Sequence, residues 1–183
     1  MTLPQYRNAL QPQSLLHEYR IEQVLGAGGF GTTYLARDTH LDKQVAIKEY
    51  FPSDIAMRAA EGTVQPATTE RESDYKWGLD RFLQEARTLA RFSHPNIVRV
   101  VRYFEANGTA YMVMDYERGE PLKTLLQHRP YPSEDVLKNL LRPLLDGLAL
   151  VHAAGFLHRD IKPENIVVRA SGQPVLIDFG AAR

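Results

Sequence analysis

His158-Arg159-Asp160-Ile161-Lys162-Pro163-Glu164-Asn165 is the stretch on which the reading turns, and Val175-Leu176-Ile177 followed by Asp178-Phe179-Gly180 completes it. Seven specified letters, at about 5% each, arise by chance in roughly one window in 10⁹. Apolar runs at 166–168 and 174–178 follow the octet, so it occupies a loop that feeds a small hairpin. Upstream, Ser133 with Glu134 and Asp135 marks a helix start, and Val136, Leu137, Leu140, Leu141, Leu144, Leu145, Leu148 and Val151 form a broad apolar face. Gly155 is its expected stop, and Pro143 removes one internal hydrogen bond, which predicts a kink.

Further toward the N-terminus the pattern is one of strands. Tyr19 to Lys48 gives three segments rich in Val, Ile, Thr and Tyr, divided by the glycine cluster at 26–31 and by residues 38–43. Two more strands are expected at about 97–105 and 110–116, joined by Asn107-Gly108. Between the two sets lies a helix over 77–92, with Phe82, Ala86 and Leu89 on one stripe and Pro95 beyond its end. Residues 49–76, broken by Pro52, Gly62 and Pro66, read as a surface insertion. Residues 1–17, polar and interrupted by proline, read as a flexible leader.

Gly26-Ala27-Gly28-Gly29-Phe30-Gly31 matches G-x-G-x-x-G, but Thr32, Thr33 and Tyr34 follow it, so the loop joins two strands instead of opening a dinucleotide-binding helix. Such a loop either lays backbone N–H groups over phosphates or is a tight hairpin turn. In Val45-Ala46-Ile47-Lys48, alternation puts Ala46 and Lys48 on one face and Val45 and Ile47 on the other. Taken alone, Lys48 also reads as a solvated strand end. Glu85 falls on the inward stripe of the 77–92 helix, where a carboxylate needs a cation, and Lys48 is the candidate. A carboxylate reaching out from the edge of that stripe is the simpler alternative.

Lys plus Arg and Asp plus Glu each total 22 in 183 residues, so no bulk charge draws the chain to nucleic acid or to an anionic membrane. The chain has no cysteine, which excludes disulfide scaffolds and thiolate metal sites and fits a reducing compartment. No apolar run approaches the roughly 18 residues of a membrane span, and the first residues lack a signal-peptide core. A cytoplasmic location is the expectation.

Leu25 to Tyr34, Val45 to Lys48, Glu85, His158 to Asn165 and Asp178 to Gly180, in that order, make the chain from about Tyr19 to Arg183 resemble a protein kinase of the eukaryotic-like (Hanks-type) Ser/Thr class. The run Lys48-Glu49-Tyr50-Phe51-Pro52-Ser53 resembles its bacterial members. The resemblance implies an α+β, protein-kinase-like fold. An N-lobe and hinge over 18–117 would carry a five-stranded antiparallel sheet with one main helix, and 118–183 would form an incomplete, mostly helical C-lobe. It implies ATP and Mg²⁺ as cofactors and a protein Ser or Thr hydroxyl as acceptor. On that reading Asp160 orients the incoming hydroxyl and takes its proton, and Lys162 stands near the γ-phosphate. Lys48, held by Glu85, meets the α- and β-phosphates, while Asn165 and Asp178 hold Mg²⁺ with hard oxygens. The loop Gly26, Ala27, Gly28, Gly29, Phe30, Gly31 covers the phosphates. Leu25, Ala46 and Val167 sandwich adenine, Met114 is the gatekeeper, and Asp115 and Glu117 hydrogen-bond adenine through their backbone. His158, Phe179 and Leu89 resemble packing residues beneath the site, with no metal role.

The chain departs from the family pattern in places. Thr33 stands where Val is usual, which makes the roof over adenine more polar. Lys48 and Glu85 are 37 residues apart, a longer span than usual, so 49–76 is either a partner-docking loop or tolerated surface. The family continues past Gly180 through an activation segment and further helices. Arg159, which grips that segment in relatives, is therefore expected to find none before Arg183. Leucines of the 133–154 helix should stand exposed, and this stretch should transfer little phosphate by itself. A nucleotide-binding pseudokinase or scaffold is the alternative, opposed by intact Asp160, Asn165 and Asp178. A small-molecule phosphotransferase fits less well, because Arg159 and Lys162-Pro163-Glu164 match protein kinases better.

Overall fold

Alternation of apolar and polar side chains builds the first of two units, residues 1–87 and 100–116. In the computed structural model, which describes residues 8–29, 31–128 and 132–179, its strands are β1 (Leu15–Leu16), β2 (Tyr19–Gly28), β3 (Gly31–Asp38), β4 (Lys43–Tyr50), β5 (Ala56–Arg58), β6 (Val64–Pro66), β7 (Val100–Ala106) and β8 (Thr109–Asp115). Six of them make one antiparallel sheet in the order β1-β2-β3-β4-β8-β7, and β5 and β6 form a separate hairpin. Tyr19 and Ile21, Tyr34 and Ala36, Val45 and Ile47, and Tyr111 and Val113 close into a single buried cluster on one face of the sheet.

The five expected strands are all in the sheet, and β1 adds a short sixth. Residues 8–17, expected to be flexible, are instead an ordered edge. Gln13 N donates to Ile21 O at 2.7 Å, Ile21 N donates to Ser14 O at 2.9 Å, and Ala9 and Leu16 enter the apolar cluster. The cluster needs these two side chains to cover it, which outweighs the local polarity of the segment. Residues 1–7 lie outside the described residues.

The insertion is equally structured. After the β5–β6 hairpin, a 3₁₀ turn at Thr69–Arg71 leads into helix α1 (Glu72–Leu89), which begins earlier than the expected 77 and ends before the expected 92. Glu72 and Asp74 in its first turn suit the positive end of the helix dipole. The hairpin abuts the β7–β8 turn, where Val64 N donates to Asn107 O at 2.7 Å. Gly108 in that turn has φ +70, and a Cβ there would lie 2.4 Å from the carbonyl oxygen of Val64. Gly108→Ala is expected to cost about 1–3 kcal/mol by chemical denaturation. A loss inside the ordinary surface range of about 0.5 kcal/mol would show that β6 gives way without penalty.

The second unit, residues 88–99 and 117–183, is organised by helix α3 (Glu134–Ala153). Ser133 caps it, accepting from Val136 N, and the helix buries Leu144, Gly147, Leu148 and Val151. A side chain at Gly147 would meet Ile97 Cγ1 at 2.9 Å, so the glycine admits the segment before β7 against the helix. Pro143 lies inside α3, and Gly155 follows its end with φ +75, the left-handed conformation that terminates helices. Helix α2 (Leu122–His128) precedes it, and a small sheet runs β11 (Pro174–Leu176), β10 (Ile166–Arg169), β9 (Gly119–Pro121). The β10–β11 hairpin is the one expected, while β9 carries no sequence pattern that marks it as a strand. Leu137, Leu141 and Leu145 stand exposed one helical turn apart on α3. Among the described residues, no helix is long and apolar enough to cross a membrane.

Candidate active site

In the first unit the glycine loop is a β-hairpin tip, with Gly28 opposite Gly31 and Gly26 opposite Thr33. Added Cβ atoms at Gly26, Gly28 and Gly29 would meet nothing within 4 Å, whereas one at Gly31 would lie 2.2 Å from the carbonyl oxygen of Glu49. The open part of the loop thus has space above it, and its closing glycine is pressed onto β4. Phe30 lies outside the described residues, as does Gly180. Across the sheet Thr33 pairs with Lys48, and β8 sets Met112 opposite Lys48 and Met114 opposite Ala46. Val45 and Ile47 belong to the apolar cluster, so alternation turns Ala46 and Lys48 to the other face. Lys48 and Glu85 are both buried, at 7% and 8% exposure, whereas Leu25 is exposed. Burial at that level excludes a solvated reading for either charge. Asp115, at the end of β8, accepts from Lys43 Nζ at 3.2 Å.

The second unit holds the other candidates. Asp160 Oδ2 accepts from Lys162 Nζ at 2.7 Å and from Asn165 Nδ2 at 3.0 Å, and Asn165 Nδ2 also donates to the Asp160 carbonyl at 2.9 Å. The hydrogen bond from Lys162, with a smaller contribution from Asn165, holds the Asp160 carboxyl below the usual carboxylate range and outweighs burial and the Asp178 charge. Asp160 in turn raises the Lys162 ammonium above its ordinary value. His158 is buried, its Nδ1 accepts from Asp160 N at 3.2 Å, and its ring lies 4.3 Å from that of Phe179. This histidine is a packed support for the loop. Ile177 N donates to Asn165 O at 2.8 Å, which ties the strand leading to Asp178 to the Asp160 loop. Arg159 and Asp178 have φ +61 and +58, a conformation that non-glycine residues seldom adopt. Val167 is buried on β10.

With its Nδ2 committed to Asp160, Asn165 has its side-chain oxygen to offer, and Asp178 offers a half-buried carboxylate. Two hard oxygens, with phosphate oxygens and water completing the shell, are a donor set that suits Mg²⁺. They suit a closed protein cage poorly, and among the described residues no group of three or more His, Cys, Asp or Glu could hold a metal.

Two ion pairs escape a reading by motif. Glu117 Oε2 and Oε1 accept from Arg169 Nε at 2.7 Å and Nη2 at 2.9 Å, and Arg169 Nη1 donates to the Pro95 carbonyl at 3.0 Å. This fork fixes the side chain of a residue singled out only for its backbone. In the first unit Glu49, fully buried, accepts from Tyr34 OH at 2.6 Å, Arg58 Nη2 at 2.7 Å and Tyr111 OH at 2.8 Å. Arg58 also donates to Asn8 O at 2.7 Å and Gly62 O at 2.8 Å. Burial opposes the Arg58 charge, but Glu49 outweighs it and keeps the guanidinium above its ordinary value. Burial and the same carboxylate push the Tyr34 and Tyr111 hydroxyls far up, so both remain neutral donors. A signal for this cluster exists: Val45, Ile47 and Glu49 alternate onto the apolar face, and a carboxylate there needs a cation.

The family described as Protein kinase domain matches residues 19–183. Serine/threonine-protein kinase pkn2 of Myxococcus xanthus is 36% identical over 95% of this chain and 19% of its own length. Serine/threonine-protein kinase PknA of Mycobacterium tuberculosis is 34% identical over 93% of this chain and 36% of its own. A solved structure described as PpkA-294 apo form is 40% identical with a TM-score of 0.87, covering 94% of this chain and 62% of that one. The chain thus spans from about a fifth to about a third of these curated relatives.

Proposed function

Because this chain belongs to the protein kinase family, and within it is a bacterial Hanks-type Ser/Thr member, we propose that it carries the nucleotide-binding and phosphoryl-transfer residues of an ATP- and Mg²⁺-dependent protein Ser/Thr kinase. The observation that carries the reading is the Asp160 loop, in which one carboxylate receives both Lys162 and Asn165 and keeps its negative charge. A carboxylate so held can orient a hydroxyl and accept its proton, while the ammonium beside it answers charge that develops on a phosphoryl group. Asn165 and Asp178 would hold Mg²⁺, which neutralises phosphate charge when bound. The glycine hairpin offers backbone N–H groups to phosphates, Lys48 supported by Glu85 offers the cation, and Ala46, Leu25 and Val167 offer apolar surface for adenine. Met114, Asp115 and Glu117 supply the gatekeeper and the backbone that meets adenine. The acceptor is a protein Ser or Thr hydroxyl.

Thermal shift of the intact protein checks nucleotide binding. MgATP at a hundredfold excess over its Kd should stabilise the fold by about 2.7 kcal/mol, and omission of Mg²⁺ or Asp178→Ala should reduce the gain. An unchanged transition with MgATP would sink the nucleotide-binding assignment.

A further inference from the structure

Tyr50 ends β4 two residues beyond Lys48 and alternates onto the same face. On α1, Tyr75, Gly78, Phe82 and Glu85 recur at spacings of three and four, so they share one stripe. Those two rows meet. The Tyr50 ring is buried, 5.3 Å from the Tyr75 ring and 5.8 Å from that of Phe82, and its hydroxyl donates to Tyr75 O at 3.2 Å. Gly78 makes the seat: a Cβ there would lie 2.1 Å from the Tyr50 hydroxyl oxygen and 3.0 Å from Cζ. A second fastening lies one turn earlier, where Tyr75 OH donates to Gly108 O at 2.8 Å. Tyr50 is anchored in turn, because its carbonyl accepts from Thr109 Oγ1 on β8.

We propose that Tyr50 on Gly78, with Tyr75 on Gly108, forms a brace that fixes the register of helix α1 against strand β4, so that the positions of Glu85 and Lys48 are set by the chain's own insertion. Tyr50, Gly78 and Tyr75 are positioning residues, acting through Lys48 and Glu85, and the proposal rests on the kinase function proposed for the chain. Both ends of the ruler are short: Tyr50 is two residues from Lys48 along a strand, and Gly78 is seven from Glu85 along a helix, about two turns. A displacement at the seat therefore passes to Glu85 with little slack. Adenine-facing positions on the sheet are untouched by such a shift, so the loss falls on phosphate alignment in the transition state more than on nucleotide binding.

The test uses the intact protein, with kcat and KM for MgATP measured well below each variant's unfolding temperature and the affinity for a fluorescent ADP analogue measured alongside. Gly78→Ala should lower kcat about tenfold or more with KM changed less than about threefold, and Gly78→Ala/Tyr50→Phe, which removes the clashing oxygen, should recover most of that loss. Tyr75→Phe, which deletes one hydroxyl and no other volume, should lower kcat about threefold while remaining folded, and so decides the matter if Gly78→Ala does not fold. A kcat close to that of the parent protein in Tyr75→Phe and in any folded Gly78→Ala, or no recovery in the double variant, overturns the brace. A parent protein that binds nucleotide but transfers no phosphate refutes the kinase reading instead. Amide exchange over 72–87 then tests the brace by itself: faster exchange in Tyr75→Phe upholds it and unchanged exchange overturns it.

Discussion

Asp160→Asn is expected to lower phosphoryl transfer to a protein substrate by about 10²–10⁴-fold, the range for loss of a positioned general base. The amide keeps the shape of the carboxylate, and the Asn165 bond to the residue 160 carbonyl does not involve the altered group. The loop therefore stays in place, and the thermal midpoint changes little, because Asp160 is only half buried. What disappears is a proton acceptor and the charge that Lys162 faces. Since neither contributes to adenine binding, the affinity for MgATP stays within about threefold and the loss falls in kcat. Transfer of the γ-phosphate into a generic Ser/Thr-containing protein by the intact gene product measures this. A variant that retained the parent rate would remove Asp160 from the reaction and return the chain to the scaffold alternative.

Arg58→Ala is expected to have the largest effect on stability. It leaves Glu49, which is fully buried, without its cation, and removal of one partner from a buried pair costs about 3–5 kcal/mol. At about 2–4 °C per kcal/mol for a chain of this size, the midpoint falls by roughly 6–20 °C. Glu49→Gln/Arg58→Met relieves the stranded charge while keeping an acceptor for a tyrosine hydroxyl and apolar bulk over Phe51, whose ring the guanidinium now covers at 5.3 Å. The double variant should thus be more stable than Arg58→Ala, with a coupling above about 1 kcal/mol in the cycle closed by the single variants Glu49→Gln and Arg58→Met. Strict additivity, or a loss below about 1 kcal/mol in the single variant, would mean that water reaches Glu49 and that the pair does not lock the insertion to the sheet.

Much of both units is legible in the residues. The five long strands follow from alternation and from turn chemistry at Asn107-Gly108, and Ser133 announces its helix because a hydroxyl can satisfy an amide that the helix leaves open. The candidate site is legible where chemistry needs a fixed residue type at a fixed spacing, as in His158 to Asn165. Contacts between residues far apart in sequence are less visible. Arg58 reaches Asn8 across 50 residues and Arg169 reaches Pro95 across 74, and no periodicity links either pair. The Pro and Gly content of the insertion points to loop, yet Val64 and Ala56 are buried and Tyr75 extends the helix backwards. There the tertiary environment outweighs local composition. Glu49 is open to the same logic as Glu85, a carboxylate on an apolar face. Glu117 is not, because its partner Arg169 lies beyond a strand, two helices and a loop.

The family match begins at Tyr19, and that boundary invites a shortened chain starting there. Such trimming would strip Ala9 and Leu16 from the apolar cluster and take away the Asn8 carbonyl that receives Arg58 Nε. The stretch that completes the apolar cluster thus extends eleven residues upstream of the stretch that a comparison with relatives delineates, from Tyr19 back to Asn8. Tags and deletions near the N-terminus of this chain bear on the face of β4 opposite to Lys48, where Val45, Ile47 and Glu49 lie.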